Sequence, residues 1–375
     1  MVLSDSGVIR ATAAAARHYS RKLVAAMPRK GVERRWNLDH NGIRRVGSKT
    51  SGFRYSSAGG ATIADTRTLT RIRKLRIPPA WENVRIAKGD AAPLQVLGVD
   101  KKGRTQYLYH TRFRQQREEE KFLRVVSFGE SLPKLRSRVR RDLAGSVLDR
   151  TRVLASIVRL IDQGFFRVGN DKSARSESTY GLTTVHSDHV KVNGSQISFD
   201  YVGKWGKKQK QTIRDAEVAA ILRRLRKLGG DELFKYLQGT AVHDVKDHHV
   251  NDYIQSIIGG EYTAKDFRTW AGTLLCSISL GIQGAAATKT EAKKRIRNAI
   301  VATATLLGNT PAVCRSSYIC PRVLHEFTEG RTMEMLRKQR TGRPVARNGL
   351  SMEERALLKL LRETIADRRK RKRAA

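Results

Sequence analysis

Leu307–Pro321 reads LGNTPAVCRSSYICP, and it contains one tyrosine, Tyr318. Gly308 has the character of a helix stop. Thr310-Pro311 has that of a helix start, a capping residue followed by proline at the first helical position. The stretch therefore predicts a tight corner at Asn309 between two helices, with Tyr318 on the second helix or at its end. A tyrosine on a short amphipathic helix is most often a packing residue. Three basic residues in similarly distinctive settings upstream change that weighting: Arg167 in FFRVGN, Lys204 in YVGKWGK and Arg268 in TAKDFRTW.

The chain has 375 residues, enough for two domains with their own cores and for tails. Lys plus Arg is 74 against 35 Asp plus Glu, a net charge of +39. A balance this basic points to a polyanion, with nucleic acid the first candidate and an acidic membrane surface the rival. No apolar run approaches the roughly 18–20 residues of a membrane span. The three cysteines, Cys276, Cys314 and Cys320, form no C-x-x-C, which disfavours a disulfide framework or zinc site and fits a reducing, cytoplasmic setting. His186 and His189 make an isolated H-x-x-H in what reads as strand. Without further ligand-type residues they are taken as structural or DNA-facing, so no metal is expected. No G-x-x-x-x-G-K-[ST] occurs, and no nucleotide cofactor is expected.

Residues 1–50 are basic and poor in periodic apolar residues. They read as a flexible arm, with an organelle transit peptide the lesser alternative. From Gly52 onward the pattern is a helix at Leu69–Leu75, ended by Pro78-Pro79, then strands at VRIAK, LQVLGVD and GRTQYLYH. This predicts a β-rich domain over 51–117. A mainly helical domain is expected over 118–345, and a C-terminal helix with a basic tail over 346–375. Within the larger domain, Val153, Leu154, Ile157, Val158 and Ile161 mark a helix stopped by Gly164. Tyr180–Ile213 reads as strand. Asn193-Gly194 between alternating runs predicts a hairpin, and a second hairpin carries Lys204 at its tip. Thr263/Asp266 and Thr288/Glu291 are capping-box starts, and the first places Arg268 in the opening turns of a helix expected to end at Gly281. Ser351/Glu354 starts the C-terminal helix, with Leu357, Leu358, Leu361 and Ile365 on one face. The class is α+β.

Two arginines, a lysine and a tyrosine suit one reaction on a phosphodiester. A phenol with a pKa of roughly 10 is a poor nucleophile at neutral pH and a competent one as phenolate. Guanidinium forks match the non-bridging phosphate oxygens, where charge accumulates on attack. A lysine whose pKa is lowered by nearby cations can protonate the departing 5′ oxygen. The phosphotyrosine product is again a phosphodiester, so a strand can be resealed without ATP.

In family order, GFRY, LTRIRKLRIPPAW, GRTQYLYH, KFLRVVSFG, FFRVGN, YGLTT, YVGKWGK, TAKDFRTWAG and LGNTPAVCRSSYICP resemble the compact bacterial and poxvirus class of type IB DNA topoisomerases, from about Gly52 to about Gly330. The resemblance implies a C-shaped clamp around double-stranded DNA, made of a small β-rich domain and a larger, mainly α catalytic domain. It implies that Arg167, Lys204, Arg268 and Tyr318 are catalytic, with Asn309 where poxvirus members carry histidine. Asparagine can donate a hydrogen bond to phosphate but cannot carry a proton or charge. Lys265 matches an accessory lysine of the family. Ser173 follows RVGND where an aromatic residue is common. In the small domain Gln106, Tyr107 and Tyr109, with Arg104 beside them, fit the family's groove-contacting segment; Tyr109 reads equally as an ordinary strand residue. Lys207 and Lys208 join Lys204 in a phosphate-facing cluster.

The resemblance thus implies an ATP-independent isomerase acting as a monomer through a transient 3′-phosphotyrosyl link, cytoplasmic and nucleoid-associated. A tyrosine recombinase is the nearest rival. It would carry an H-x-x-R box, and here Lys265 stands three residues before Arg268. A non-enzymatic DNA-compacting protein explains the charge but not the order Arg, Lys, Arg, Tyr. Removal of 1–45 and 346–375 is expected to weaken binding and lower its salt slope and to leave cleavage intact.

Overall fold

A computed structural model describes residues 27–333 and 349–374. Residues 1–26, the greater part of the expected arm, lie outside it, as do 334–348. The chain divides into two compact units, 1–121 and 122–375.

In the first unit, helix α1 (Met27–Asn41) and strand β1 (Ile43–Ser48) occupy residues that composition assigned to the arm. The correction has a simple cause. Leu38 and Ile43 are almost isolated apolar residues in a charged stretch, yet each is buried against the sheet. The turn between them is tight. Gly42 N–H donates to Leu38 O at 3.0 Å, and a Cβ at Gly42 would lie 2.4 Å from that oxygen. The sheet continues with β2 (Gly52–Ser56), β3 (Glu82–Ile86), β4 (Leu94–Val99) and β5 (Thr105–Tyr109), in the order β2-β1-β3-β4-β5, all antiparallel. Helix α2 (Thr66–Lys74) is capped by Asp65, which accepts from the Thr68 N–H at 2.8 Å. Two small clusters hold the unit together. Ile72 of α2 packs with Ile43, Val84, Ile86 and Val96; Leu38 of α1 packs with Ala87, Leu94 and Leu97.

Helix α3 (Thr111–Leu143) is continuous through the change of texture near residue 117, and the units divide within it. The core of the second unit is built round α4 (Arg150–Gly164), whose Val153, Leu154, Ile157, Val158 and Ile161 are all buried as the periodicity predicts. Then come α5 (Asp171–Glu177) and the three-stranded sheet β6 (Val190–Asn193), β7 (Gln196–Gly203) and β8 (Lys207–Arg214). The first hairpin turns at Asn193–Gln196 with Gly194 at φ 55°, as the Asn-Gly signal predicts. Tyr180–His189 is not strand. It forms two 3-10 turns, Leu182–Thr184 and Ser187–His189. Helix α6 (Ala216–Leu225) is next, then a short hairpin absent from the sequence reading, β9 (Lys235–Gln238) and β10 (Ala241–Asp244). Helices α7 (Asp247–Ile258), α8 (Ala264–Gln283), α9 (Lys289–Leu306), α10 (Pro311–Ser317) and α11 (Pro321–Thr328) complete the unit, with α12 (Met352–Ala374) packed on it. Helix α8 runs through Gly281 and is stopped by Gly284 at φ 73°.

Helix α12 is more than a solvated tail. Leu357, Leu358 and Leu361 are buried in the main core; the Ile365 side chain lies outside the described residues. Glu354 accepts from Arg136 Nη1 and Nη2, both at 2.8 Å, from Trp270 Nε1 at 3.0 Å and from the Ser351 N–H at 2.8 Å. Asp162 grips the other side of Arg136, at 2.7 and 2.9 Å. This network joins α3, α4, α8 and α12, so removal of 346–375 would take out part of the floor beneath the helix that carries Arg268.

Candidate active site

Each functional side chain is held by a local device. Arg167 comes after α4, where Phe165 caps the helix in the left-handed region at φ 55°. The backbone of 167–169 then runs against Gly181–Thr183. Leu182 N–H donates to Arg167 O at 3.0 Å and Thr183 N–H to Val168 O at 2.6 Å. The crossing requires glycine: a Cβ on Gly181 would lie 2.4 Å from Gly169 N. The YGLTT stretch is thus a backbone clamp on Arg167.

Arg268 projects from the second turn of α8. The start of that helix is fixed by Asp266, which accepts from the Thr263 N–H at 2.8 Å and from Arg124 of α3 at 2.6 and 2.7 Å. The guanidinium donates to Leu307 O at 2.7 Å and to Phe165 O. It therefore ties the end of α4 to the corner after α9. One turn on, Gly272 lets Tyr318 approach; a Cβ there would lie 2.7 Å from Tyr318 O.

Helix α9 ends at the predicted corner, with Gly308 at φ 60°, and Thr310 caps α10 with Pro311 behind it. Tyr318 is the residue that closes α10. Its ring centre lies 5.1 Å from the Arg268 guanidinium carbon. Asn309 is buried, and its Oδ1 accepts from Arg167 Nη2 at 2.5 Å. Lys204 sits in the 3-10 turn Lys204–Gly206 at the tip of the β7–β8 hairpin.

A cavity of 370 Å³ collects Arg167, Lys204, Lys265, Arg268 and Tyr318 in one wall set. Asn309 reaches it through Arg167. The same cavity is lined by Asn170, Thr179, Tyr180, Asp247, Asn251 and Thr263, for which the sequence reading had no role. It also includes Ser173, the departure from the family pattern. Two buried donors here have no hydrogen-bond partner: Asn309 Nδ2 and Arg268 Nε. Buried donors are normally satisfied, so these two stand out as donors still lacking an acceptor.

Burial pushes the Arg268 pKa below the ordinary guanidinium value, and the Arg167 charge acts in the same direction while Tyr318 opposes it. A second phenol lies close to both arginines: Tyr201 of β7 is buried, and burial pushes its pKa up to about 12. Tyr318, by contrast, lines the cavity and is partly open to solvent.

The remaining expected residues lie further out. Tyr107 and Tyr109 are exposed on edge strand β5, stacked at 6.1 Å. Arg104 and Gln106 are both held by Asp100, at 2.7 and 2.9 Å, and the Arg104 hydrogen bond holds the Asp100 carboxyl down at about 2. Lys207 and Lys208 open β8 on opposite faces, Lys208 exposed and Lys207 half-buried. Asp188 joins His186 and His189 within 4.8 Å, which corrects the expectation that no carboxylate accompanies them. The His189 Nδ1 lone pair already accepts the His186 N–H at 3.1 Å, however, and burial lowers the His189 pKa. The two rings stack on each other at 5.1 Å, and Tyr180 packs edge-on against His186 and tilted against His189.

Comparison with known proteins matches residues 110–341 to the family described as eukaryotic DNA topoisomerase I, catalytic core, and residues 52–100 to the bacterial DNA topoisomerase IB N-terminal domain. The DNA topoisomerase 1B of Acanthamoeba polyphaga mimivirus is 36% identical over 262 residues, 68% of this chain and 78% of that protein. The DNA topoisomerase 1B of vaccinia virus (strain Western Reserve) is 22% identical over 253 residues, 64% of this chain and 75% of that protein. The catalytic match takes in every residue that lines the cavity, and with the mimivirus relative covering two thirds of the sequence, the chain belongs to the type IB DNA topoisomerase family.

Proposed function

We propose that this protein relaxes supercoiled duplex DNA through Tyr318. The phenol oxygen forms a bond to a backbone phosphorus and its proton passes to water. The P–O5′ bond breaks, and Lys204 gives a proton to the departing 5′ oxygen. The 3′ end is now held as a phosphotyrosine, and the free strand rotates. The 5′ hydroxyl then attacks the same phosphorus and returns its proton to Lys204, and Tyr318 leaves and takes a proton back from water. Two phosphodiesters exchange, so no energy source enters the cycle.

The observation that carries this reading is the cavity that gathers Arg167, Lys204, Lys265 and Arg268 round Tyr318, with an unsatisfied donor on Arg268. Arg167 and Arg268 are assigned to the non-bridging oxygens, where removal of one fixed donor costs about 10²–10³ in rate. Asn309 supports the same assignment. Its oxygen is committed to Arg167, so its amide N–H₂ is the group left to donate, which fits a neutral replacement for histidine. Lys265 lies in the first turn of α8 as a second cation for the same phosphate. By family resemblance, the protein acts as a monomer whose units close on DNA as a C-shaped clamp, without nucleotide or metal. The three cysteines, buried and not in disulfides, fit a cytoplasmic, nucleoid-associated setting.

The test is relaxation of a plasmid with no special site, in EDTA and without ATP, with denaturing capture of a protein–DNA adduct. Tyr318→Phe should abolish both signals with little change in DNA affinity. An adduct formed by Tyr318→Phe, or relaxation that requires magnesium in every buffer, would overturn the assignment.

A further inference from the structure

We propose that helix α1, which precedes both matched regions, is part of the duplex-binding surface and that Arg34 and Arg35 contact phosphate there. This rests on the reading of Tyr107 and Tyr109 as groove-facing residues.

Pairing across the sheet places the pieces on one face. Tyr107 stands opposite Leu97 and Tyr109 opposite Leu94. Residues directly opposite on antiparallel strands point to the same side. Leu94 and Leu97 pack against Leu38 of α1. The two tyrosines therefore emerge from the face that α1 covers, beside the helix, on a strand whose outer edge is unpaired among the described residues.

Helical spacing does the rest. Arg34 and Arg35 lie four and three residues before the buried Leu38, so they share the side of α1 that meets the sheet. Arg34 sits over the Phe113 ring at 4.9 Å, and Phe113 in turn packs on Tyr109 at 5.4 Å. Arg35 Nη1 donates to the Tyr107 hydroxyl at 3.4 Å, and Arg35 Nε lies 4.0 Å from Asp39 Oδ2. The Arg35 side chain is still half exposed, at 52%. The result is a continuous row, Arg35–Tyr107–Tyr109–Phe113–Arg34, of packed aromatics bounded by two guanidiniums. A stacked guanidinium is held in place by its face while its N–H edge remains able to grip phosphate. A purely structural role would not need two arginines, since Leu38 already supplies the apolar anchor. Trp36, 59% exposed and stacked on His40 at 4.3 Å, lies on the outer side of the same helix and reports on whatever approaches.

The experiment uses the full chain carrying Tyr318→Phe, so that binding is read without cleavage. Affinity for a plain duplex is measured against salt concentration for that parent, for Arg34→Ala/Arg35→Ala and for Arg34→Lys/Arg35→Lys. Each lost phosphate contact lowers the slope of log K on log salt by about 0.9, so the alanine pair should lower it by about 2 and the lysine pair by much less. Thermal melts separate this from a packing role, which would move the melting temperature and leave the slope alone. An unchanged slope in the alanine pair overturns the proposal, as does an equal loss in the lysine pair. If instead Tyr107→Ala/Tyr109→Ala leaves duplex affinity unaltered while the arginine pair lowers the slope, the groove reading fails and the helix contact stands.

Discussion

Glu354→Ala tests whether the C-terminal helix belongs to the catalytic unit. The carboxylate is buried and serves Arg136, Trp270 and the Ser351 N–H at 2.8–3.0 Å. Removing one member of a buried ion pair costs about 3–5 kcal/mol. Asp162 stays on Arg136, which pulls the figure towards the lower end. The Trp270 N–H is left without an acceptor, which adds about 1–3 kcal/mol. About 4 kcal/mol is the expectation, and at roughly 2–4 °C per kcal/mol for a unit of this size the midpoint should fall by about 8–16 °C. The assay is a thermal melt of the full chain by circular dichroism. A truncation that removes only 364–375 serves as the contrast, with a shift below about 0.5 kcal/mol because it spares Glu354 and the buried leucines. A Glu354→Ala midpoint within about 2 °C of the parent would refute the reasoning. The pH dependence has a definite sign. Burial raises the Glu354 pKa, the Arg136 hydrogen bonds and charge lower it more, and the net is below the ordinary value. A depressed carboxyl stabilises the fold above its unfolded pKa of about 4.3 and loses that contribution as pH falls through the folded value. The stability gap between parent and Glu354→Gln should therefore narrow below about pH 4.

Lys204→Ala should slow cleavage by about 10²–10⁴, and a substrate with sulfur in place of the scissile 5′ oxygen should restore the rate, since a thiolate leaves unprotonated. Arg167→Ala should not be restored; if Lys204→Ala stays slow on the sulfur substrate, Lys265 becomes the proton donor to test. Asn309→Ala should reduce single-turnover cleavage by about 10² with little change in duplex affinity, and an unaltered rate would remove Asn309 from the site. Gly272→Ala puts a methyl 2.7 Å from Tyr318 O and 3.0 Å from Tyr318 Cβ. It should lower cleavage while sparing duplex affinity, and a wild-type cleavage rate would show that the two segments are not rigidly apposed.

Much of the catalytic unit is legible because its signals are local. Caps at Thr263, Thr288, Thr310 and Ser351, the Asn193-Gly194 turn and the apolar face of α4 all depend on neighbours in sequence. The gathering of Tyr318, Arg167, Lys204 and Arg268 round one cavity was also legible, through residue type and order. What escaped depends on distant partners. Helix α1 is charged enough to read as an arm, and its apolar anchor, Leu38, meets Ala87, Leu94 and Leu97, which are remote in sequence. The importance of α12 lies in Glu354, whose partners Arg136 and Trp270 are remote in sequence. Gly181 reads as a turn residue, and its real task is to let two backbones cross.

The Thr273 hydroxyl has a mechanical meaning. It accepts from the Cys320 N–H at 3.1 Å, and its single proton is shared between Thr269 O at 2.8 Å and, more weakly, Tyr318 O at 3.3 Å, so it fixes the chain around Ile319, a clasp immediately after the tyrosine. Thr273 belongs to α8, one turn and a residue beyond Arg268. In a type IB enzyme the whole tension of the rotating duplex falls on one tyrosine during the cleaved interval. With Tyr318 as the proposed tether, that load would pass into the long α8 as well as into the seven residues of α10. Because Arg268 rides on α8, a pull that displaces the tether would move the proposed phosphate-binding arginine with it. The severed end should thus keep its register for rejoining under torque, and weakening the clasp should show first as slower resealing on stretched DNA.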